Sequence, residues 1–251
     1  MCLIGIRLDG GIRPFLQIAA NRDEFAARPT LPMHWWDSGI LAGKDLQAGG
    51  TWLGVSRSGR FAAVTNVRDP LIKNNPCPRP SRGQLVTDFL LSTAAPESFV
   101  SSLLDDLTQP SPFNLLVGQI TPDQAEVWWL GGRTLTAEKL APGVHVLSNA
   151  ELNTPWPKAL LLKQAMQNGQ TEALQSALGS RELVMDEALP DTGVSRDWER
   201  KLSAPMITGA EYYTRSSTLL AFSEGRWWAQ ETTWGPDAQS LGVVEERFEL
   251  R

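Results

Sequence analysis

The residues able to do covalent or acid–base chemistry are few and sit in a small number of places. Cys2 directly follows the initiator methionine. With Met1 removed, that one residue carries a sulfur nucleophile and an α-amino group of reference pKa about 8, a nucleophile with its own base. Such a site needs no histidine. The plainer reading is a small buried residue opening an edge strand. Asn21-Arg22-Asp23-Glu24 sets four polar side chains directly after an apolar run. A carboxylate there holds an amino group, or Asp23 merely caps a turn. Asn66 and Asn149 each close an apolar run, where a side-chain amide either finishes a turn or donates to a developing oxyanion. Arg215, in Tyr213-Thr214-Arg215-Ser216, stands at the mouth of a further strand as a surface arginine or a partner for one of the excess carboxylates.

The composition narrows the chemistry. The chain has 251 residues, 23 Lys plus Arg against 28 Asp plus Glu, and so a net charge of −5. Two His and two Cys cannot build a three-His zinc site, a four-Cys zinc or iron–sulfur site, or a disulfide framework. His34 lies among aromatics and His145 inside a strand pattern, so both read as structural. Cys77-Pro78 is a dipeptide able to ligate haem iron, but in a proline-rich loop it reads as a chance pair. The acidic balance and the lack of a basic run argue against nucleic acid. No apolar stretch approaches the roughly 20 residues that span a bilayer. The short apolar start lacks a basic leader and a cleavage site. The expectation is a protein of the cytoplasm with both thiols free.

These residues need elements to position them. Apolar runs at 2–8 and 14–20 flank Asp9-Gly10-Gly11, which predicts a hairpin with Gly10 and Gly11 as its loop. Paired positions then sum to 21, Cys2 faces Ala19, and Asn21-Arg22-Asp23-Glu24 emerges within roughly 10 Å of Cys2. Residues 28–37 read as an ordered loop punctuated by prolines. A second hairpin spans 49–66, and 69–82 forms a surface loop. Ser81-Arg82-Gly83-Gln84 fits a capping box before a helix, and a second helix covers 96–107. Strand patterns follow at 113–120, 125–130 and 143–148. Thr154 is read as the N-cap, with an N1 proline, of a helix near 156–168. The stretch 169–210 is weakly patterned, and strands return at 216–223, 226–233 and 242–249. Trp35-Trp36, Trp128-Trp129 and Trp227-Trp228 are adjacent pairs, which strand geometry sends to opposite faces of a sheet. The order of strands, helices, strands, helices and strands is not βαβ alternation. It predicts antiparallel sheets with helices outside, an α+β layered fold in a single domain over 1–251.

The chain also resembles a known family. Met1-Cys2, Ala20-Asn21-Arg22-Asp23-Glu24-Phe25 with Arg28-Pro29, and Gly49-Gly50-Thr51-Trp52-Leu53-Gly54 are similar to the NRDE family, also called the transport and Golgi organization protein 2 family. Thr65-Asn66, Gly83-Gln84-Leu85-Val86-Thr87, Leu147-Ser148-Asn149-Ala150 and Tyr213-Thr214-Arg215-Ser216 extend the likeness over nearly the whole chain. That family is remotely similar to N-terminal-nucleophile hydrolases with a cysteine nucleophile, such as bile salt hydrolases and penicillin V acylases. The resemblance implies a four-layer αββα sandwich. It also implies Cys2 as nucleophile, Asp23 as the acid of the motif, and Asn66, Asn149 and Arg215 as catalytic partners. Asn21, Arg22 and Glu24 are implied to bind substrate. Ala20 stands where the superfamily has an arginine, while Arg22 lies inside the motif. Two functions follow as expectations. One is a cofactor-free cysteine amidohydrolase or acyl hydrolase acting on a small amide or acyl molecule. The other is a carrier of haem or an acyl lipid, since members are associated with haem trafficking, lipid metabolism and secretory-pathway organisation. A third, plainer expectation is an interaction domain whose polar cluster only stabilises the hairpin.

Overall fold

The computed structural model describes residues 2–9, 15–79 and 81–251. The chain starts with strands β1 (Cys2–Asp9), β2 (Phe15–Phe25), β3 (Thr30–Trp35), β4 (Ile40–Asp45), β5 (Leu53–Ser56) and β6 (Arg60–Asn66). Helices α1 (Arg82–Leu91) and α2 (Pro96–Asp106) follow. Next come β7 (Phe113–Ile120), β8 (Ala125–Gly131), β9 (Thr136–Lys139) and β10 (Gly143–Leu147). After α3 (Pro157–Asn168), α4 (Thr171–Leu178) and the short α5 (Arg196–Lys201), the chain returns to sheet in β11 (Tyr212–Ser223), β12 (Arg226–Trp234) and β13 (Ser240–Glu249).

Two antiparallel sheets result, a six-stranded one ordered β10-β1-β2-β11-β12-β13 and a seven-stranded one running β3 to β9 in chain order. Strand alternation gives each sheet two apolar faces. The inner faces share one core, with Ile6, Ile18, Phe222 and Trp227 from the six-stranded sheet and Phe61, Leu116 and Trp129 from the other. The outer face of the seven-stranded sheet packs on α1 and α2 through Leu85, Phe89, Val100 and Leu103. The outer face of the six-stranded sheet packs on α3 and α4 through Leu162, Met166 and Leu174. The molecule is therefore the expected αββα sandwich. All three tryptophan pairs split as strand geometry requires. Trp35, Trp129 and Trp227 enter the inner core, while Trp36, Trp128 and Trp228 join the outer ones.

Four local expectations are corrected. In the first hairpin Asp9 pairs with Phe15 and Cys2 with Arg22, so paired positions sum to 24 rather than 21. The expected Gly10-Gly11 turn lies outside the described residues. The three-residue shift carries the polar motif from beyond the end of β1 to a place directly beside it. Residues 28–37 are not loop, since β3 occupies much of them. Its proline, Pro32, is tolerated because β3 is an edge strand with one hydrogen-bonding side unused. Thr154 is not the cap of α3. Trp156 holds that position without a side-chain cap bond, and the following Pro157 opens the helix. β11 begins at Tyr212, four residues earlier than the apolar pattern suggested, because its first residues are held by pairing with β2.

Two glycines set close approaches between layers. A Cβ on Gly5 would lie 2.9 Å from Met166, so α3 rests directly on β1. A Cβ on Gly50 would lie 2.6 Å from the Gly83 carbonyl carbon, so the start of α1 sits against the Gly49-Gly50-Thr51 corner.

Candidate active site

At one end of the sandwich the sheets part around a cleft of about 760 Å³. The inner face of the six-stranded sheet forms one wall. The pairings Cys2–Arg22, Arg22–Ser216 and Ser216–Thr233 run straight across four strands, and all four residues line the cleft. At a strand spacing of about 4.8 Å this is a polar row roughly 14 Å long with the thiol at one end.

Cys2 is 8% exposed. Burial pushes its thiol up, and the Asp23 and Glu24 charges add to that while Arg22 opposes it. The resting group is thus the neutral thiol, which must lose a proton to attack. Its carbonyl accepts a 3.2 Å hydrogen bond from Ser148 Oγ. Ser148 belongs to a buried chain that ties the sheets together. The Thr65 hydroxyl donates to the Ser148 carbonyl at 2.8 Å, Asn114 Nδ2 donates to Thr65 Oγ1 at 3.1 Å, and Trp129 Nε1 donates to Asn114 Oδ1 at 3.2 Å.

Asp23 is 1% exposed and accepts a 2.7 Å hydrogen bond from the Thr214 hydroxyl. Thr214 Oγ1 in turn accepts from the Ile207 amide at 2.9 Å. Burial pushes the Asp23 carboxyl up, and nearby positive charges and the Thr214 bond draw it back.

Arg22 is held by acceptors on both sides. Its Nη2 lies 3.6 Å from Glu24 and 4.0 Å from Asp45, and Nη1 donates to Thr30 Oγ1 at 3.4 Å. Asp45 also takes Arg28, at 2.8 Å from Nη2, and the amides of Gln47 and Ala48. Burial raises the Asp45 carboxyl, but the Arg28 and backbone hydrogen bonds outweigh it and hold the group below the usual carboxylate range.

Arg215 reaches the cleft because of a β-bulge. Thr214 pairs with Asp23 and Ser216 with Arg22, so Arg215 is an extra residue with no partner on β2. Two consecutive residues, Arg215 and Ser216, therefore line the cleft together. Arg215 Nη1 donates to the carbonyls of Phe25, Ala26 and Arg28 at 2.9, 3.3 and 3.1 Å, which anchors the turn after β2.

Of the eight residues singled out in the sequence, Cys2, Arg22, Asp23, Glu24, Asn66 and Arg215 line this cleft. Asn21 and Asn149 stand outside it. Asn21 points to the helical side, where Nδ2 donates to the Leu178 and Pro205 carbonyls at 2.9 Å each and Oδ1 accepts from Ser217. Asn149 is fully buried behind Asn66 and donates to its carbonyl at 3.0 Å.

Glu231 and Asp45 were missed in the sequence. Glu231 lies one row deeper than Ser216, accepting from the Met33 amide at 2.6 Å and from Thr218 at 3.1 Å. The signal for it was parity, because it follows Trp227 and Ala229 by twos and so faces inward. Among the described residues no group of three or more His, Cys, Asp or Glu is placed to hold a metal ion. No helix among them is long and apolar enough to cross a membrane.

A profile of the family described as Transport and Golgi organisation 2 matches residues 1–234. The Transport and Golgi organization protein 2 homolog of Bos taurus is 34% identical over 248 residues, covering 88% of each chain. Among solved structures, a Caenorhabditis elegans ortholog of N-acylethanolamine-hydrolyzing acid amidase aligns with a TM-score of 0.45 and 13% identity, over 85% of this chain and 99% of that one. A mutant conjugated bile acid hydrolase from Clostridium perfringens aligns at 0.44 and 10%, over 100% and 97%. The order of motifs along the sequence, the profile match over nearly its full length and the cattle relative agree: the chain belongs to the Transport and Golgi organisation 2 family.

Proposed function

We propose that the protein is a cysteine hydrolase of small polar amides or acyl compounds, with Cys2 as nucleophile once Met1 has been removed. The observation that carries this reading is the polar row starting at Cys2, with Arg22 directly opposite and Asp23 next in sequence. The neutral thiol passes its proton to the α-amine as sulfur attacks the acyl carbon. The amine then gives that proton to the leaving nitrogen as the C–N bond breaks, leaving a thioester. Water loses a proton to the same amine and attacks the thioester. The C–S bond breaks, the acid departs and the thiol reforms. Asp23 holds the amine. Asn66, kept in place by Asn149, donates to the oxyanion. Arg22 and Glu24 bind the polar part of the substrate, Arg215 braces the rim, and Asn21 supports β2 from behind. Free thiols at both cysteines suit a cytoplasmic location.

Intact-mass analysis with an electrophilic thiol probe tests this. The expected result is a chain lacking Met1 whose Cys2 reacts faster than Cys77. A retained Met1, or equal reactivity, overturns it.

One observation favours the carrier reading: Cys77 lines the same cleft, so a haem or acyl cargo would have a second thiol beside it. Against it, the lining is rich in charged groups, whereas pockets for such cargo are mostly apolar. Titration of haem and long-chain acyl-CoA into wild type, Cys2→Ala and Cys77→Ala decides the matter. Absence of saturable binding at micromolar concentration removes this reading.

A further inference from the structure

We propose that Thr214 is a positioning residue for Asp23, turned onto it by the bulge in β11 and aimed at it by the Ile207 amide. The parity of the two strands carries the first half. On β2, Leu16, Ile18 and Ala20 face the shared core and Arg22 continues that face into the cleft, so Asp23 keeps step with Ala19 and Asn21, which face the helices. On β11, Phe222 and Leu220 face the core, Thr218 reaches Glu231 and Ser216 lines the cleft. Strict alternation would put Thr214 on that same inner face, away from Asp23. The extra residue, Arg215, inverts the count, and Thr214 comes out paired with Asp23 and bonded to it. The bulge thus serves two faces at once, delivering Arg215 to the cleft and Thr214 to the carboxylate.

The hydrogen bonds carry the second half. Thr214 is fully buried. Its Oγ1 accepts from the Ile207 amide at 2.9 Å, and its own amide donates to the Ile207 carbonyl at 2.9 Å, a two-way clasp on the segment that precedes β11. Ile207 is itself fixed in a small apolar cluster with Leu202 and Tyr212. A backbone N–H can only donate, so it takes one lone pair of the hydroxyl, and the hydroxyl's single proton goes to Asp23 Oδ1 at 2.7 Å. The polarity is therefore set by the backbone and runs one way, from Ile207 through Thr214 to Asp23. Oδ1 is held as an acceptor, the role that a charged carboxylate fills.

A hydrogen bond donated to the charged form of a carboxyl lowers its titration midpoint. Burial pushes the Asp23 carboxyl up, and the charge of the chain's amino terminus, Lys158, the Thr214 hydroxyl and Arg22 draw it down. Asp23 in turn acts on Cys2, Arg68 and Tyr212. The charged and titrating groups around it are thus Cys2 on β1, Arg22 on β2, Lys158 on α3, Tyr212 on β11 and Arg68 after β6, besides the amino terminus. Thr214 differs from all of these in being neutral, so its hydroxyl can be removed without changing any charge.

The consequence rests on the hydrolase reading of the cleft, in which a charged Asp23 holds the amino group that serves Cys2. With Oδ1 given to Thr214, that hold falls to Oδ2, and the carboxylate is kept from rotating between the two roles. The alignment of Thr214 itself needs no turnover, and its test is independent of activity.

In the full chain, Asp carboxyl carbons labelled with carbon-13 are followed by nuclear magnetic resonance against pH. Thr214→Val keeps the side-chain shape and removes the hydroxyl, and the Asp23 midpoint is expected to rise by about one pH unit, the worth of one hydrogen bond to a charged group. Thr214→Ser keeps the hydroxyl and loses a methyl, and is expected to hold the wild-type midpoint. A role in packing alone predicts the reverse order, with the serine variant the more disturbed. An Asp23 midpoint unmoved in folded Thr214→Val overturns the proposal, as does a shift in Thr214→Ser as large as that in Thr214→Val. So does a wild-type Asp23 whose carboxyl carbon is still in its neutral form at pH 7, a readout that needs no variant to fold. A retained Met1 sinks the hydrolase reading and leaves these titrations readable, so the two failures are distinguishable.

Discussion

Along the inner face of the six-stranded sheet, the two ends of the same strands carry opposite chemistry. Towards one end the inward positions are Leu8 and Ile6 on β1, Leu16 and Ile18 on β2, Phe222 and Leu220 on β11, and Trp227 and Ala229 on β12, all buried in the shared core. Two to six residues further along the same faces stand Cys2, Arg22 and Glu24, Ser216, and Glu231 and Thr233, all at the cleft. The alternation runs unbroken from the aromatic end to Ser216, where the bulge at Arg215 interrupts it, and along that stretch only the residue type changes. Burying apolar side chains drives folding at about 25 cal/mol per Å², so the aromatic end holds the sandwich together. The polar end adds little to stability and keeps chemical groups at a strand spacing that the aromatic end enforces.

Substitutions that separate stability from reactivity test this contrast. The largest effect is expected from Cys2→Ala. It should abolish thiol-probe labelling at that position and lower any hydrolysis by at least about 10³-fold, while unfolding free energy changes by less than about 1 kcal/mol. If denaturant titration shows a collapse in stability instead, the two ends are not distinct in role. Trp227→Ala is the converse. It empties the aromatic end and should cost about 3–5 kcal/mol in urea unfolding, with the relative reactivity of Cys2 and Cys77 preserved in the folded fraction.

Two cleft carboxylates sharpen the contrast through pH. Asp45 has its carboxyl lowered on folding, so its stabilisation is present above the unfolded value and lost as pH falls through the folded one. Asp45→Asn should cost about 2 kcal/mol near neutrality, and its melting curve should converge with that of wild type below about pH 4. Glu231 has the opposite sign. Burial raises its carboxyl, and the Met33, Thr218 and Ser216 hydrogen bonds recover only part of the shift. Stability tied to it is therefore full at low pH and declines as pH rises above about 4.5. Glu231→Gln should raise Tm by about 2–4 °C at pH 8 and leave it unchanged at pH 4, as measured by calorimetry. Equal effects at both pH values would mean that the buried carboxylate stays neutral throughout.

What could be seen in the sequence follows from how local each signal is. The helix opened by Ser81 was legible because a cap and its helix are neighbours, and Ser81 does accept from the Gly83 amide at 3.2 Å. The facing of the tryptophan pairs was legible because alternation is a property of one strand. The pairing of Cys2 with Arg22 was not, because a shift of three positions leaves the apolar pattern of both strands plausible. β3 was hidden by Pro29 and Pro32, whose cost depends on whether a neighbouring strand needs their missing amides, and that depends on sheet order. Arg215 was found by context, but the bulge that delivers it beside Ser216 arises from the mismatch between β2 and β11.

The sequence by itself determined most of the strands and the helices α1 to α3, which faces are apolar, and that cysteine chemistry belongs at the start of the chain. Those properties depend on residue type and on periods of 2 and 3.6. Only the tertiary structure decided which charges answer one another: Asp45 with Arg28, and Glu199 with Arg68, 131 positions apart in the chain. A buried charge is tolerated only where a partner of opposite sign or enough hydrogen bonds reach it, and in this molecule those partners come from other layers of the sandwich.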